Sequence, residues 1–498
     1  MLDIKNFFRN IRLSTLALIF VFSFIAFVSF YCFKTVPVSW IDEGVFFQTV
    51  SNIATVGIWG IQLAPDHFID LSLIAMGYPQ LYPAALAFKI FGTSITVLRL
   101  VSITFLLGFV TAFYFLSKKL YGPTLALWGT ALLGTFSPLY GNGKNFLGEV
   151  PGLFYFILGL LLITYIEHSP KRQRGIAFIA GLALGMAISV KPIFILILPA
   201  LGVAFLWHIR RFLFGENNRR SESVMVVVGM IGALVVWVFT QFGGEVSLVR
   251  IFTHYANPYY IADITALMIQ NLKRFITELT PLHFLLMGFV ADILFIQKIR
   301  KKDRIHFAEI AVAVFSALIF VFYLRTVGWY RNFFPGHIVL FLFFAPGLQE
   351  LFSLVRVRFF QQSSGVLVGV VCTALLGAQF VPLKKEAIRC ATDLPTATEP
   401  FLNTLAKDEP VFFYNTPEIA ARFHGTEWYQ YIRMSEHWAV GAENEDLMKK
   451  GTFSTIIVPH HLTNERSRIP SCYEIDRDIY KLIIIYKRNA SLSCEGGI

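Results

Sequence analysis

Two adjacent acids, Asp42-Glu43, and a third, Glu149, stand beside long apolar blocks, and the cations Lys191, Arg325 and Arg331 flank other blocks. A carboxylate at the centre of a bilayer costs at least ~2.5–3.5 kcal/mol, so acids kept at the ends of apolar blocks are the informative ones. Carboxylates in such places can accept a proton or orient a polar substrate, and guanidinium or ammonium groups can hold an anion such as a phosphate. Asp42-Glu43 comes just past Pro37 and Trp40, after the first block, and Glu149 follows Lys144-Asn145 at the end of a later one. The acids are therefore expected to meet in one cavity at the outer face. Taken singly, the same acids fit solvated loop carboxylates or helix N-cap partners. The cations equally fit side chains that snorkel to headgroups.

The elements that must position these groups are membrane helices. The chain has 498 residues, of which 55% are apolar and 15% charged, where soluble domains run roughly 45–50% and about 25%; the mean hydropathy is +0.61. Apolar blocks near 13–33, 95–117, 122–139, 150–166, 175–190, 193–208, 224–241, 281–297, 306–324, 336–354 and 363–381 are read as spans. At 1.5 Å per residue such blocks cross a core of roughly 30 Å. The first exceeds the roughly 7–15 apolar residues of a cleaved signal peptide and is kept as a span. Every second loop is basic, from Lys5/Arg9/Arg12 through Lys171/Arg172/Arg174 and Lys298/Arg300/Lys301 to Arg356/Arg358. The positive-inside rule then puts the N-terminus in the cytoplasm and, with an odd number of spans, the C-terminus outside. The net charge of +11 is scattered among short loops, which argues against a nucleic-acid partner.

Two outer segments are long. Residues 34–94 hold the acid pair, a polar stretch through Asp66, His67 and Asp70, and Gly77-Tyr78-Pro79-Gln80-Leu81-Tyr82-Pro83 before a short apolar helix at the interface. Residues 242–280 hold His254-Tyr255 and Pro258-Tyr259-Tyr260 ahead of an amphipathic run. The organisation expected is a membrane domain over 1–381 and a soluble extracytoplasmic α/β domain over 382–498. In the latter, 398–407 and 417–423 read as helices, and 411–414, 453–458 and 482–486 as buried strands. Cys32 and Cys372 lie in apolar spans and read as small buried hydrophobes. Among Cys390, Cys472 and Cys494 at most one pair can form; Cys472 and Cys494 flank the last strand-like run, and a bond between them is expected in an oxidising compartment. His460-His461 point to opposite sides of a strand, so no metal site is assigned, and no phosphate-binding glycine loop or repeat occurs.

Trp40-Ile41-Asp42-Glu43-Gly44, Gly77-Tyr78-Pro79-Gln80-Leu81-Tyr82 and Phe88-Lys89-Ile90-Phe91-Gly92 through Leu98-Arg99-Leu100 resemble the signature of the GT-C glycosyltransferases. The nearest groups are the protein O-mannosyltransferases and the bacterial aminoarabinose transferases. Glu149 at the second acidic position, Val190-Lys191-Pro192 and Arg331-Asn332-Phe333-Phe334-Pro335 extend the resemblance over roughly residues 1–345. It implies a polyprenyl-phosphate sugar donor, transfer on the outer face and inversion at the anomeric carbon. It also implies Asp42 as catalytic base, and Glu43 and Glu149 are grouped with it as candidate catalytic carboxylates that orient Asp42 or position the acceptor or a metal. Tyr78, Tyr82, Lys191 and Arg331 become candidate substrate-binding residues, Arg331 the main phosphate contact. The chain departs from the pattern at Tyr78, where related bacterial enzymes often carry Lys or His, so no donor sugar is carried over.

The readings weighed against a glycosyltransferase are a lipid or glycan transporter or flippase, a membrane scaffold, and an O-antigen ligase or polymerase. A transporter is expected to show internal repeats and helices broken at mid-membrane. The acceptor is left as a lipid, glycan or protein, a divalent cation is left open, and short loops favour a bacterial inner membrane.

Overall fold

Inside a bilayer every backbone N–H and C=O must find its partner within the chain, so each apolar block closes into a helix. The computed structural model describes residues 13–70, 76–169, 173–214, 220–242, 263–354, 364–435, 438–460, 468–479 and 483–494. Helix α1 (Leu13–Phe30) leads to α2 (Ile41–Thr55), a hairpin of β1 (Gly60–Ala64) and β2 (His67–Asp70), and α3 (Tyr78–Phe91). The helical bundle continues through α4 (Ile95–Tyr121), α5 (Pro123–Thr135), α6 (Pro138–Gly143), α7 (Glu149–His168) and α8 (Arg174–Val190). After a 3-10 turn at Pro192–Leu196 come α9 (Ile197–Phe214), α10 (Arg220–Phe242), α11 (Ile264–Thr277), α12 (Leu279–Lys301) and α13 (Phe307–Leu324). A second 3-10 turn, Tyr330–Asn332, precedes α14 (Phe334–Leu354) and α15 (Ser364–Glu386). The C-terminal part runs α16 (Leu394–Leu402), β3 (Val411–Tyr414), α17 (Pro417–Ala420), β4 (Trp428–Ser435), β5 (Trp438–Val440), α18 (Ala442–Lys449), β6 (Thr455–Pro459), β7 (Tyr473–Ile479) and β8 (Ile483–Arg488).

Among the described residues eight helices are long and apolar enough to cross a membrane, and two shorter apolar helices cover Ser14–Phe30 and Arg174–Val190. The block expected as one span at 122–139 is instead two pieces, α5 and α6, parted at Phe136 and Ser137. Pro138 starts α6, the place where its missing N–H costs nothing. The polar stretch around Asp66 is the turn of the β1–β2 hairpin, with Gly60 opposite Asp70 and Gln62 opposite Phe68. The His254–Tyr260 segment lies outside the described residues, while the amphipathic run after it forms α11.

The C-terminal sheet has the order β5-β4-β3-β6-β8-β7, with β3 parallel to both β4 and β6 and antiparallel pairs outside them. Strands β3 and β6 are buried along their whole length. Covered on both faces, they read as unbroken apolar runs. Strand β7, at the edge, exposes Glu474 through Asp478 and carries the charges that discourage edge pairing. This domain sits on the helical face that carries α2 and the hairpin: Ile432 of β4 joins the same apolar cluster as Val45, Phe47 and Ile61.

Cysteine pairing corrects one expectation. Cys472 and Cys494 are bonded, with Cα atoms 4.8 Å apart, but Cys32 is also bonded, to Cys390, across 358 residues of sequence. Cys32 is therefore not a plain buried hydrophobe. It lies just past the end of α1, where its partner segment just past α15 meets it, so the ends of the first and last apolar helices share one face. Buried Lys144 closes the same junction, donating from Nζ to Tyr31 O at 3.0 Å and Ala387 O at 3.2 Å. Both carbonyls lie just beyond a helix C-terminus, where a cation is favoured by the helix dipole. Burial, with Arg99 nearby, pushes the Lys144 amine down to about 8. Non-reducing peptide mapping should recover two cross-linked pairs, 32–390 and 472–494, with Cys372 alkylated only after unfolding. A free Cys32 in protein extracted without reductant would refute this junction.

Candidate functional site

Helix α2 begins at Trp40, whose backbone is extended and whose side chain supplies no cap hydrogen bond. Asp42 and Glu43 fall in its first turn, where negative charge is favoured by the dipole. Successive residues on a helix point about 100° apart, and here that separates the two acids completely. Glu43 faces inward: Arg99 of α4 donates to its Oε1 from Nε at 2.9 Å and to its Oε2 from Nη2 at 2.6 Å. The Phe146 N–H adds a third bond at 3.3 Å. Arg99 also donates to Phe33 O and to Ser39 Oγ, both at 2.9 Å, so this buried pair ties the loop after α1 to α4. Asp42 faces the other way and pairs with Nη1 of Arg331. The Asp42 side chain is 18% exposed and that of Glu43 only 1%, so of the two acids Asp42 is the one open to an outside molecule.

Arg331 sits in the 3-10 turn before α14, with its guanidinium over the Trp40 ring at 5.1 Å and the Trp329 ring at 4.7 Å. Its cationic face is thus close to two indole rings, and a guanidinium is the side chain whose planar fork of N–H donors matches carboxylate and phosphate geometry. The turn itself is held from behind, where the Tyr330 hydroxyl and a His337 ring nitrogen lie 3.0 Å apart and His337 meets His283 at 3.0 Å.

Glu149 opens α7 directly after Gly148, whose φ of +92° suits glycine. Its Oε1 lies 2.5 Å from Lys191 Nζ, which also donates to Leu147 O at 3.0 Å. Gln80 joins them across Gly148: a Cβ there would sit 3.4 Å from Gln80 Oε1 and 3.5 Å from Lys191 Cδ. Glu149 Oε2 and both amide atoms of Gln80 are buried and find no hydrogen-bond partner among the described residues. Each orphaned group costs about 1–3 kcal/mol, a cost that a polar molecule bound at this spot would offset. Asp42 and Glu149 are thus each engaged by a different cation, and the segment 144–149 links their surroundings, since Phe146 bonds Glu43 and Leu147 bonds Lys191. Tyr78 is buried, its hydroxyl donating to Ala233 O at 3.2 Å; burial pushes it up to about 12, so it pins α3 to α10 as a neutral group. Tyr82 is exposed and meets Trp59 edge-on at 5.5 Å. Arg325 ends α13 as its C-cap residue.

The residues not singled out as chemistry were Arg99, Ser39, Gln80 and Asp393. Arg99 had a signal, since an arginine inside an apolar block marks a functional pairing by default. Asp393 had none, being one of many charges in a soluble-looking segment. Among the described residues no cluster of three or more His, Cys, Asp or Glu gathers as a metal set.

The apolar helices with a strand-containing C-terminal domain packed against them make up a fold that this chain shares with solved membrane-protein structures. The family model described as dolichyl-phosphate-mannose-protein mannosyltransferase matches residues 80–242. ArnT from Cupriavidus metallidurans bound to undecaprenyl phosphate superposes with a TM-score of 0.60 at 13% identity, over 96% of this chain and 98% of that one. The Archaeoglobus fulgidus oligosaccharyltransferase in its apo form gives 0.61 at 10% identity, over 92% of this chain and 71% of that one. The archaeal oligosaccharyltransferase AglB, in complex with an inhibitory peptide and a dolichol-phosphate, gives 0.57 at 9% identity, over 91% and 70%. A sequence search of curated proteins finds no match.

Proposed function

We propose that this chain is a membrane glycosyltransferase that takes a sugar from a polyprenyl-phosphate donor and passes it to an acceptor hydroxyl on the extracytoplasmic face. The observation that carries the reading is the Asp42–Arg331 pair, a reachable carboxylate beside a stacked guanidinium. Two structural neighbours were solved with undecaprenyl phosphate or dolichol-phosphate, which supports a lipid-phosphate ligand for this fold.

When a donor phosphate takes the N–H edges of Arg331, the carboxylate of Asp42 is released to accept a proton. The acceptor oxygen attacks the anomeric carbon from the face opposite the phosphate, its proton passes to Asp42, and the bond from that carbon to the phosphate oxygen breaks. The products are an inverted glycoside and the polyprenyl phosphate, whose added charge is held by Arg331. Glu43, fully used by Arg99, fixes the helix turn that presents Asp42. Glu149, Lys191 and Gln80 form the second polar site, suited to the sugar or acceptor, and exposed Tyr82 offers a ring face beside α3. In this reading residues 1–381 form the catalytic membrane domain and 382–498 an extracytoplasmic domain. The two disulfides support an oxidising compartment for that face.

The deciding experiment is transfer of radiolabelled sugar from a panel of polyprenyl-phosphate donors to envelope fractions by purified protein. Labelled acceptor and free polyprenyl phosphate should appear in equal amounts. Movement of intact donor between vesicle leaflets without cleavage would sink the transferase reading in favour of a flippase.

A further inference from the structure

Asp393 lies at the start of α16, outside the helical bundle, yet its side chain is wholly buried and directed at the loop that leads into α2. Its Oδ1 accepts the Ser39 N–H at 2.7 Å, and its Oδ2 accepts the Ser39 hydroxyl at 3.2 Å and Nη2 of Arg422 at 3.1 Å. The Ser39 oxygen in turn accepts from Arg99 at 2.9 Å, and Arg99 grips Glu43. One hydroxyl thus donates to Asp393 and accepts from Arg99, which is all its single proton and lone pairs need. Residues 39 and 43 bracket Asp42, and both end at the same arginine.

A separate contact from the same domain presses on α2. A Cβ on Gly44 would overlap the backbone of Pro417 and Glu418, so only glycine lets α17 approach so closely. Gln48, one turn on, donates to Pro417 O at 3.1 Å and accepts from Gln430 of β4 at 2.8 Å. Gly44 lies about 200° around the helix from Asp42. The C-terminal domain therefore holds the back of α2 while the front presents the acid to Arg331.

We propose that Asp393 is a positioning residue for Asp42, acting through Ser39 and the Arg99–Glu43 pair, so that docking of the C-terminal domain sets the geometry of the base. This rests on the transferase reading. Misplacing a catalytic group by about 1 Å costs up to ~10²-fold in rate, and among the described residues the other side-chain hydrogen bond of Ser39 is the one it accepts from Arg99.

The test uses full-length Asp393→Asn and Ser39→Ala in nanodiscs. Two quantities are read: steady-state transfer from a polyprenyl-phosphate sugar, and amide hydrogen exchange of residues 39–48 against α7. Expected is a fall in kcat of roughly 10–100-fold with donor KM within about twofold, and faster exchange confined to 39–48. Should Asp393→Asn fail to fold, Ser39→Ala, which removes only the hydroxyl link, must still lower kcat with donor KM held. Unchanged kcat in a folded variant, or exchange rising equally in α7, would overturn the positioning role. If the variants loosen 39–48 but wild-type protein turns over no lipid-phosphate donor, the transferase reading falls and takes the catalytic role with it.

Discussion

Asp42→Asn should lower transfer by roughly 10²–10⁴-fold, the usual worth of a general base, in protein that remains monodisperse and folded. The amide keeps the size of the carboxylate and can still accept a hydrogen bond from Arg331, but it cannot take the acceptor proton. Arg331 is at the same time relieved of a negative partner, so donor affinity should hold or tighten while kcat drops. That split marks an interaction made in the transition state. Glu43→Gln should behave differently despite the adjacent position. It breaks a bidentate pair with Arg99 in which both side chains are buried, and severing such a pair destabilises by about 3–5 kcal/mol. Its signature is a lowered melting temperature and poor yield, with activity per folded molecule falling through misplacement of Asp42 but by less than in Asp42→Asn. Glu149→Gln should fall between the two if its pair with Lys191 orients the sugar or acceptor. Near-normal single-turnover rates in Asp42→Asn, with Glu149→Gln inactive, would move the base to the second site and leave the fold assignment untouched.

The contrast between the two neighbouring acids shows what a sequence discloses about this molecule and what it withholds. Apolar blocks announce their helices because a bilayer permits little else, and β3, β6 and β8 announce themselves because both of their faces are covered. Helix α2 is harder to see. Its buried side includes Gln48 and Thr49 beside Val45 and Phe46, since part of that side meets polar groups of the C-terminal domain rather than lipid or apolar core. Strand β4 mixes Tyr, Gln, Ile and Arg for the same reason: Gln430 reaches back to Gln48 and to the Gln62 carbonyl of the hairpin. The acids and cations were visible because ionisable groups at span ends are costly and few. Their pairing was not, because Asp42 and Arg331 are 289 residues apart and Ser39 and Asp393 are 354 apart. Cys32 illustrates the same limit of local pattern. A cysteine in an apolar run reads as core until the chain end that meets it is known.

Arg331→Ala should be the second most damaging substitution, lowering kcat/KM by roughly 10²–10³-fold, the scale for losing one donor to a developing oxyanion. In the proposed mechanism the guanidinium touches the phosphate before and during departure of the leaving group, so donor KM should rise and kcat should fall together, unlike in Asp42→Asn. Arg331→Lys tests the geometry. It keeps the charge but not the planar fork, and an ammonium between Trp40 and Trp329 lacks the stacked face that holds the guanidinium in plane. A recovery of no more than about tenfold over the alanine variant is expected on that ground. Lys191→Ala offers the control at the second cation: its Nζ is held by Glu149 and by Leu147 O, so its loss should act on the sugar or acceptor side. The measurement is binding of polyprenyl phosphate alone, which carries no sugar, to each purified variant by calorimetry or tryptophan quenching. Arg331→Ala should weaken that binding and Lys191→Ala should leave it within a few-fold. The reverse order would place the lipid phosphate against Lys191 and Gln80 and make Arg331 a partner of Asp42 only.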